Sequence, residues 1–217
     1  MIKYVIFDMD GVIIDSEPIH FKLEQKLFKS YGIEVSAKEH DTFIGSTSYY
    51  MWDSIRNKYK LSQDLEELVQ KDRREYFELL SSSLDTEPIE GVCNLIKELY
   101  EKGIKIAVAS SSPLDVIELV LKKFKISEYF DFIITGDFVE KSKPEPDIFL
   151  YAANKLGAKT ENCVVIEDSH NGVRAAKKAG MKCIGYKNLN SGKQDLSMAD
   201  RVIHSYSEIG FDELQKI

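Results

Sequence analysis

Long apolar runs are missing from this 217-residue chain: it never reaches the roughly eighteen consecutive apolar residues of a membrane-crossing helix, so no membrane partner is expected. A charged-then-apolar leader is missing too, because Met1-Ile2-Lys3 runs straight into an apolar tetrad. Cysteine is scarce. Cys93, Cys163 and Cys183 are odd in number and far apart, which argues against a disulfide framework or a zinc site. They fit reduced thiols buried as small hydrophobes, and a cytoplasmic protein is the expectation. Positive charge is in deficit: the formal net charge of −7 argues against general nucleic-acid binding. No internal repeat is visible. The length allows one large domain or a core with a smaller insert. No feature demands a macromolecular partner, and a monomer is expected.

What is present falls into two textures. From residue 86 onward, short β-rich runs alternate with helical patterns. Val92, Leu95, Ile96 and Leu99 keep the three-four spacing of an amphipathic helix, and Gly103 stops it. A strand is predicted at Ile104–Ala109, and a helix stripe at Val116, Ile117, Val120, Leu121 and Phe124 follows it. Strands are predicted at Phe132–Thr135, Cys163–Ile166, Lys182–Tyr186 and Arg201–Ile203, with helices at Pro146–Leu156 and Val173–Ala179. Such alternation marks an α/β fold whose parallel sheet is covered on both faces. Residues 17–82 differ. Leu23, Leu27 and Tyr31 recur every fourth residue, and the charged stretch from Leu65 to Leu80 offers Leu68, Phe77 and Leu80 for burial. The simplest account is a helical domain at 17–82 inserted after the first strand of a core formed by 1–16 and 83–217. Ser81-Ser82-Ser83 is the expected return linker.

The most informative residues are Asp8 and Asp10, directly after the apolar run Tyr4–Phe7 and before Gly11. An apolar run ended by glycine reads as a buried strand entering a turn, and ligands of open α/β sheets bind at that end. Two carboxylates there repel unless a cation or a proton sits between them, so the pair suggests metal binding, proton chemistry or both. A plain turn or helix cap is the alternative. A calcium loop is excluded by spacing, since its glycine belongs at the sixth position and Gly11 is fourth.

Other polar residues follow the remaining strands: Ser110-Ser111-Ser112, then Lys141-Ser142-Lys143-Pro144, then Glu167-Asp168. Each has a bland reading. Ser110 or Ser112 caps a helix, Lys143 is a solvated loop lysine, and Asp168 or Ser169 caps the helix that follows. In a parallel sheet, however, these ends converge on one edge. Together they meet the needs of phosphoryl transfer to a carboxylate nucleophile. Asp8 and Asp168 can ligate Mg2+, with Glu167 direct or through water. A lysine and a hydroxyl can hold phosphoryl oxygens. Asp10 can protonate the leaving alcohol and later accept a proton from water, provided its neighbours raise its pKa.

Four segments carry a resemblance: FDMDGVIIDS at Phe7–Ser16, VASSS at Val108–Ser112, KSKPEPDIF at Lys141–Phe149, and VVIEDSHNGVRAAKKAGM at Val164–Met181. In this order they resemble the motifs of haloacid dehalogenase (HAD) superfamily phosphatases, in the helical-cap subgroup that contains β-phosphoglucomutase. The resemblance implies a Rossmann-like core with a cap and a small phosphorylated metabolite as substrate. It also implies Mg2+, Asp8 as nucleophile and Asp10 as acid/base, with the Asp10 carbonyl as a further metal ligand. Ser110 becomes the phosphate-binding hydroxyl, Lys143 the lysine in preference to Lys141, and Glu167 and Asp168 the remaining metal ligands. His20, Gly45, Ser46 and Ser111 join Ser110 and Lys143 as substrate-binding positions.

A phosphatase and a phosphosugar mutase share this core. The mutases of the subgroup carry a cap arginine just beyond a glycine, to grip a second phosphate. Here Gly45 is followed by Ser46-Thr47-Ser48-Tyr49-Tyr50, and the first basic residue is Arg56. In favour of a mutase, His20 stands where those enzymes carry a histidine that couples substrate binding to the acid/base; an ordinary position on the first cap helix is the alternative. Lys71, Arg73 and Arg74 are other sources of charge, or a solvated face. A phosphatase acting on a sugar phosphate is the favoured reading. A receiver-like signalling domain is a third, disfavoured because its phosphoacceptor belongs on a third strand.

Overall fold

The computed structural model describes residues 1–83 and 86–217. Among these, six parallel strands form one sheet in the order β3-β2-β1-β4-β5-β6. They are β1 (Tyr4–Phe7), β2 (Lys105–Ser110), β3 (Phe132–Thr135), β4 (Cys163–Glu167), β5 (Lys182–Tyr186) and β6 (Arg201–Ile203). Each coincides with a predicted apolar run to within one residue at either end. The shifts are at β2, which starts at Lys105 and extends to Ser110 because that residue pairs with Thr135 of β3, and at β4, which extends to Glu167 because it pairs with Gly185 of β5.

The central strands β1, β2, β4 and β5 are buried on both faces and read as continuous apolar runs, whereas the edge strands β3 and β6 each leave a residue exposed. Val5, Phe7, Ile106, Val108, Val164 and Ile166 enter one core layer with α5 (Val92–Glu101) and α6 (Leu114–Lys123). Ile6, Ala109, Val165 and Cys183 enter the other, with α7 (Asp147–Leu156) and α8 (His170–Lys178). Alternate side chains of one strand thus fill opposite layers. Cys163 and Cys183 are buried free thiols, and Cys93 is partly buried and also free. A last short helix, α9 (Phe211–Leu214), packs on α5.

Between β1 and α5 the described residues form four helices: α1 (Glu17–Ser30), α2 (Ala37–His40), α3 (Ser48–Tyr59) and α4 (Leu65–Ser82). The sequence pattern signalled α1 and α4 but not α2 or α3. α3 buries only Met51, Trp52 and Ile55, a stripe too narrow to stand out among its polar neighbours. The serine linker needs correction: Ser81 and Ser82 are the last residues of α4, and Ser83 is its C-cap. Residues 84 and 85, at the start of the second predicted core segment, lie outside the described residues.

The apolar residues of these helices are continuous with the first core layer. Trp52 is fully buried, with its ring 5.2 Å from Phe28 of α1 and 5.9 Å from Tyr31. Replacing Trp52 by alanine is expected to cost about 3–5 kcal/mol through lost burial and a residual cavity. Denaturant unfolding checks this, and an unchanged midpoint would contradict it.

Candidate active site

β1 is the strand at which the sheet order reverses: the chain proceeds to β2 and β3 on one side, and to β4, β5 and β6 on the other. Loops leaving β1, β2 and β4 therefore part around a crevice at their C-terminal ends. Asp8 follows β1 immediately, Ser110 ends β2 and Glu167 ends β4. Lys143 arrives from the loop between β3 and α7. Its Nζ donates to Asp8 Oδ1 and to Glu167 Oε1, both at 2.7 Å, and approaches the Ala109 carbonyl at 3.4 Å. Lys143 is 1% exposed whereas Lys141 is exposed, which decides between the two lysines. Burial alone would lower the Lys143 pKa, but the charges of Asp8 and Glu167 more than offset it and keep the ammonium protonated.

Asp8, Glu167 and Asp168 are all buried, and one oxygen from each lies within 4.8 Å of the others. Burial raises the carboxyls of Asp8 and Asp168 well above the usual range, and neighbouring carboxylates add to it. Three acids against one lysine leave a deficit of positive charge, and this all-oxygen donor set suits a hard divalent cation. The site residues therefore fit a metal. Ser169 provides the helix cap: its Oγ accepts from Gly172 N at 3.0 Å at the start of α8, and its hydroxyl donates to Glu167 Oε2 at 2.9 Å. Asp168 is thus not the cap and is held instead by the Ser191 hydroxyl.

Two glycines make room for these carboxylates. Gly11 has φ +73°, and a Cβ on it would lie 1.9 Å from Asp168 Oδ2. A Cβ on Gly172 would lie 1.7 Å from Glu167 Oε1.

Asp10 faces the same cavity but is bound differently. Its Oδ1 accepts from Ser16 Oγ at 2.6 Å and Tyr76 hydroxyl at 3.2 Å; its Oδ2 accepts from Ser112 Oγ at 2.6 Å and Ser110 Oγ at 3.2 Å. His20 Nε2 is 3.6 Å from Oδ1, and its ring stacks on Tyr76 at 3.8 Å. Burial pushes the Asp10 carboxyl up, but His20 and the Ser112 and Ser16 hydroxyls outweigh it, leaving Asp10 below the usual carboxylate range. This corrects the expectation that its neighbours raise it. The proton resides on His20 instead: burial disfavours it there, but Asp10, Glu24 and Glu17 push His20 up to about 10. His20 is no ordinary surface position.

The predicted hydroxyls divide their work. Ser110 is fully buried and turned to Asp10, and its Oγ accepts from Ser112 N at 3.0 Å. Ser112 also serves Asp10 rather than capping α6, whose N-cap is Pro113 without a side-chain bond. Ser111 lines the cavity and donates to the Gly45 carbonyl at 2.8 Å, joining the sheet edge to the inserted helices. Gly45 and Ser46 line the cavity as well. Arg56 is turned away, its Nε donating to the Gln63 carbonyl at 3.0 Å. Arg73 is no solvated residue, because it forms a two-pronged pair with Asp137 beyond β3, at 2.9 and 2.7 Å. Lys71 lies over the Tyr31 ring at 5.0 Å.

Sequence reasoning missed Glu17, Glu24, His40, Asp72 and Tyr76, all of which line the cavity. Asp72 and Tyr76 continue the four-residue step of Leu68 and Leu80 on α4, and Glu24 lies between His20 and Leu27 on α1. The available signal was therefore a polar residue in phase with a buried stripe.

A sequence profile of haloacid dehalogenase-like hydrolases matches residues 5–186. The chain belongs to that family. It is 33% identical over 191 residues to a phosphorylated carbohydrates phosphatase of Thermotoga maritima, covering 87% of this chain and 88% of that one. It is 32% identical over 185 residues to hexitol phosphatase B of Escherichia coli, covering 82% and 81% respectively. A β-phosphoglucomutase of Clostridium difficile superposes with a TM-score of 0.88 at 28% identity, covering 100% of this chain and 96% of that one. Within the family, the hydrolase is a phosphatase of the β-phosphoglucomutase-like subgroup, and the receiver-like reading is displaced.

Two predictions arise from this geometry. Gly172 lies in the first turn of α8, where alanine would ordinarily favour a helix by up to about 1 kcal/mol. The clash with Glu167 reverses the sign, so Gly172→Ala is expected to lower both stability and phosphatase rate. Thermal melting and a rate assay on the same preparation check it; a more stable, fully active variant would contradict it. The second concerns Asp72, which burial, then the charge of Glu24, raises from 3.8 to about 7. A folded-state pKa above the unfolded value means its stabilising contribution is complete below 3.8 and is lost as pH rises through about 7. The melting-temperature advantage of Asp72→Asn over the parent should therefore grow from about pH 4 to about pH 8. An advantage independent of pH would contradict the shift.

Proposed function

We propose that this hydrolase removes phosphate from a small phosphorylated carbohydrate through an aspartyl-phosphate intermediate, with Mg2+ as its metal. The observation that carries the proposal is the unequal state of its two aspartates. Asp8 is held at the sheet edge by Lys143 among the acidic cluster, whereas Asp10 is held by hydroxyls and a protonated His20. The first arrangement suits a nucleophile, the second a group that exchanges protons. The names of the relatives support a carbohydrate substrate. In this reading residues 17–82 form a cap domain, residues 1–16 and 83–217 the catalytic core, and the enzyme is a cytoplasmic monomer.

An oxygen of Asp8 attacks phosphorus, forming an acyl-phosphate bond as the bond to the alcohol oxygen breaks. Asp10 delivers a proton to the departing alkoxide. Its carboxylate must first take up that proton as substrate displaces its hydroxyl partners, and His20 stands beside it to supply one. Water then attacks the phosphorus of the intermediate, giving its proton to Asp10 and releasing phosphate and Asp8. Lys143 and the hydroxyls of Ser110 and Ser111 hold the non-bridging oxygens. Asp8, Glu167 and Asp168, with the Asp10 carbonyl, would hold Mg2+, which when bound neutralises charge on the transferring group. Hydrolysis is favoured over mutase chemistry because the cavity-lining cations His20, His40 and Arg73 already have carboxylate partners. None is left free for a second phosphate.

The parent enzyme is expected to turn over para-nitrophenyl phosphate repeatedly with magnesium, and Asp8→Asn to lower the rate by a factor on the order of 10⁴ or more. Chelation should abolish turnover and added magnesium restore it. Near-normal activity in Asp8→Asn, or indifference to chelation, would contradict the mechanism. So would faster conversion of a sugar 1-phosphate to its 6-phosphate than release of phosphate.

A further inference from the structure

The wall of the cavity beyond Asp10 carries Glu17, Glu24 and Asp72, with His20 and His40 among them. Most of these groups are satisfied by one another. His40 is hydrogen-bonded to Glu24, His20 lies 3.9 Å from Glu24 and 3.6 Å from Asp10, and Arg73 is committed to Asp137. Asp72 stands apart. It is 4% exposed, and its Oδ1 is enclosed and accepts no hydrogen bond from any described residue. Three other buried side-chain polar atoms, on Trp52, Gln63 and Asp147, also lack partners among the described residues, but those residues do not line the cavity. A buried acceptor left unpaired is costly, and Asp72 lines the cavity in which a substrate's leaving group would lie.

Resting on the phosphatase reading above, we infer that Asp72 is a specificity-determining residue. It accepts a hydroxyl of a neutral, polyhydroxylated leaving group, and it makes the cavity reject substrates with a second phosphate. A phosphate there would bring between one and a half and two further negative charges beside Asp72 and Glu24, with no free cation among the described lining residues. A hydroxyl brings no charge and supplies the missing donor. An ammonium group fits less well: burial and Glu24 raise Asp72 to about 7, so near neutrality it is populated as acid and carboxylate alike. A hydroxyl can bond either form, as donor or acceptor, whereas an ammonium pairs only with the carboxylate.

The test measures kcat/KM of the magnesium-loaded enzyme for fructose 1-phosphate, fructose 1,6-bisphosphate, glucose 6-phosphate and glucosamine 6-phosphate. It compares the parent with Asp72→Asn and Asp72→Lys, taking every ratio within one preparation. The parent should favour the monophosphate over the bisphosphate by about tenfold or more, the scale of one charge-assisted hydrogen bond. Asp72→Asn should shrink that ratio, and Asp72→Lys should turn it toward the bisphosphate. A parent ratio of one or less overturns the inference, as does a ratio unchanged in both variants or a preference for the amino sugar over glucose 6-phosphate. Those results leave the phosphatase reading standing if para-nitrophenyl phosphate is still hydrolysed. A parent enzyme that releases phosphate from no ester defeats the phosphatase reading itself.

Discussion

Lys143 is almost completely buried, and an ammonium in that position is tolerable only because Asp8 and Glu167 each accept from it at 2.7 Å. Much else depends on that contact. It ties a loop after β3 to the ends of β1 and β4, which only the sheet order brings together. It orients Asp8, and with Asp168 beside them the three carboxyls complete a negatively charged cluster. Removing the lysine would leave Asp8 and Glu167 buried without the cation they share. The same feature that makes the site reactive therefore makes it intolerant of change.

The two aspartates that open the site share a segment and a cavity yet differ in environment. Asp8 faces charges, one positive and several negative, whereas Asp10 faces four hydroxyls and a histidine. Two of those groups, Tyr76 and His20, come from the inserted helices, and the other three come from the sheet side. The proton state of Asp10 therefore depends on the contact between helices and sheet. Ser111 with the Gly45 carbonyl, and Arg73 with Asp137, hold that contact. Proton transfer and substrate enclosure are in this way joined in one set of side chains.

The sheet was legible because each strand is a short apolar run, and β1, β2 and β4 end in or directly before a polar residue of the site. Asp8, Ser110, Glu167 and Asp168 could be read from that adjacency. Lys143 came from its proline-rich setting and the family pattern. The inserted helices were less legible. α3 buries a narrow stripe, and α2 spans only Ala37–His40. Glu24, Asp72 and His40 were not singled out, since nothing local distinguishes a polar side chain aimed at solvent from one aimed into a cavity. The Asp10 pKa was misjudged for a related reason: the Ser112 hydroxyl looked like a helix cap, Ser16 was given no role, and only the fold turns both onto its carboxylate.

The central claim is that Asp8 carries the phosphoryl group between substrate and water. Acid quenching of the magnesium-loaded enzyme during turnover, followed by peptide mass spectrometry, tests it most directly. The account predicts one added phosphoryl group on the peptide containing Asp8, absent from Asp8→Asn and lost on brief treatment with hydroxylamine. A phosphoryl group on another residue, or hydrolysis with no labelled enzyme at any quench time, would contradict it.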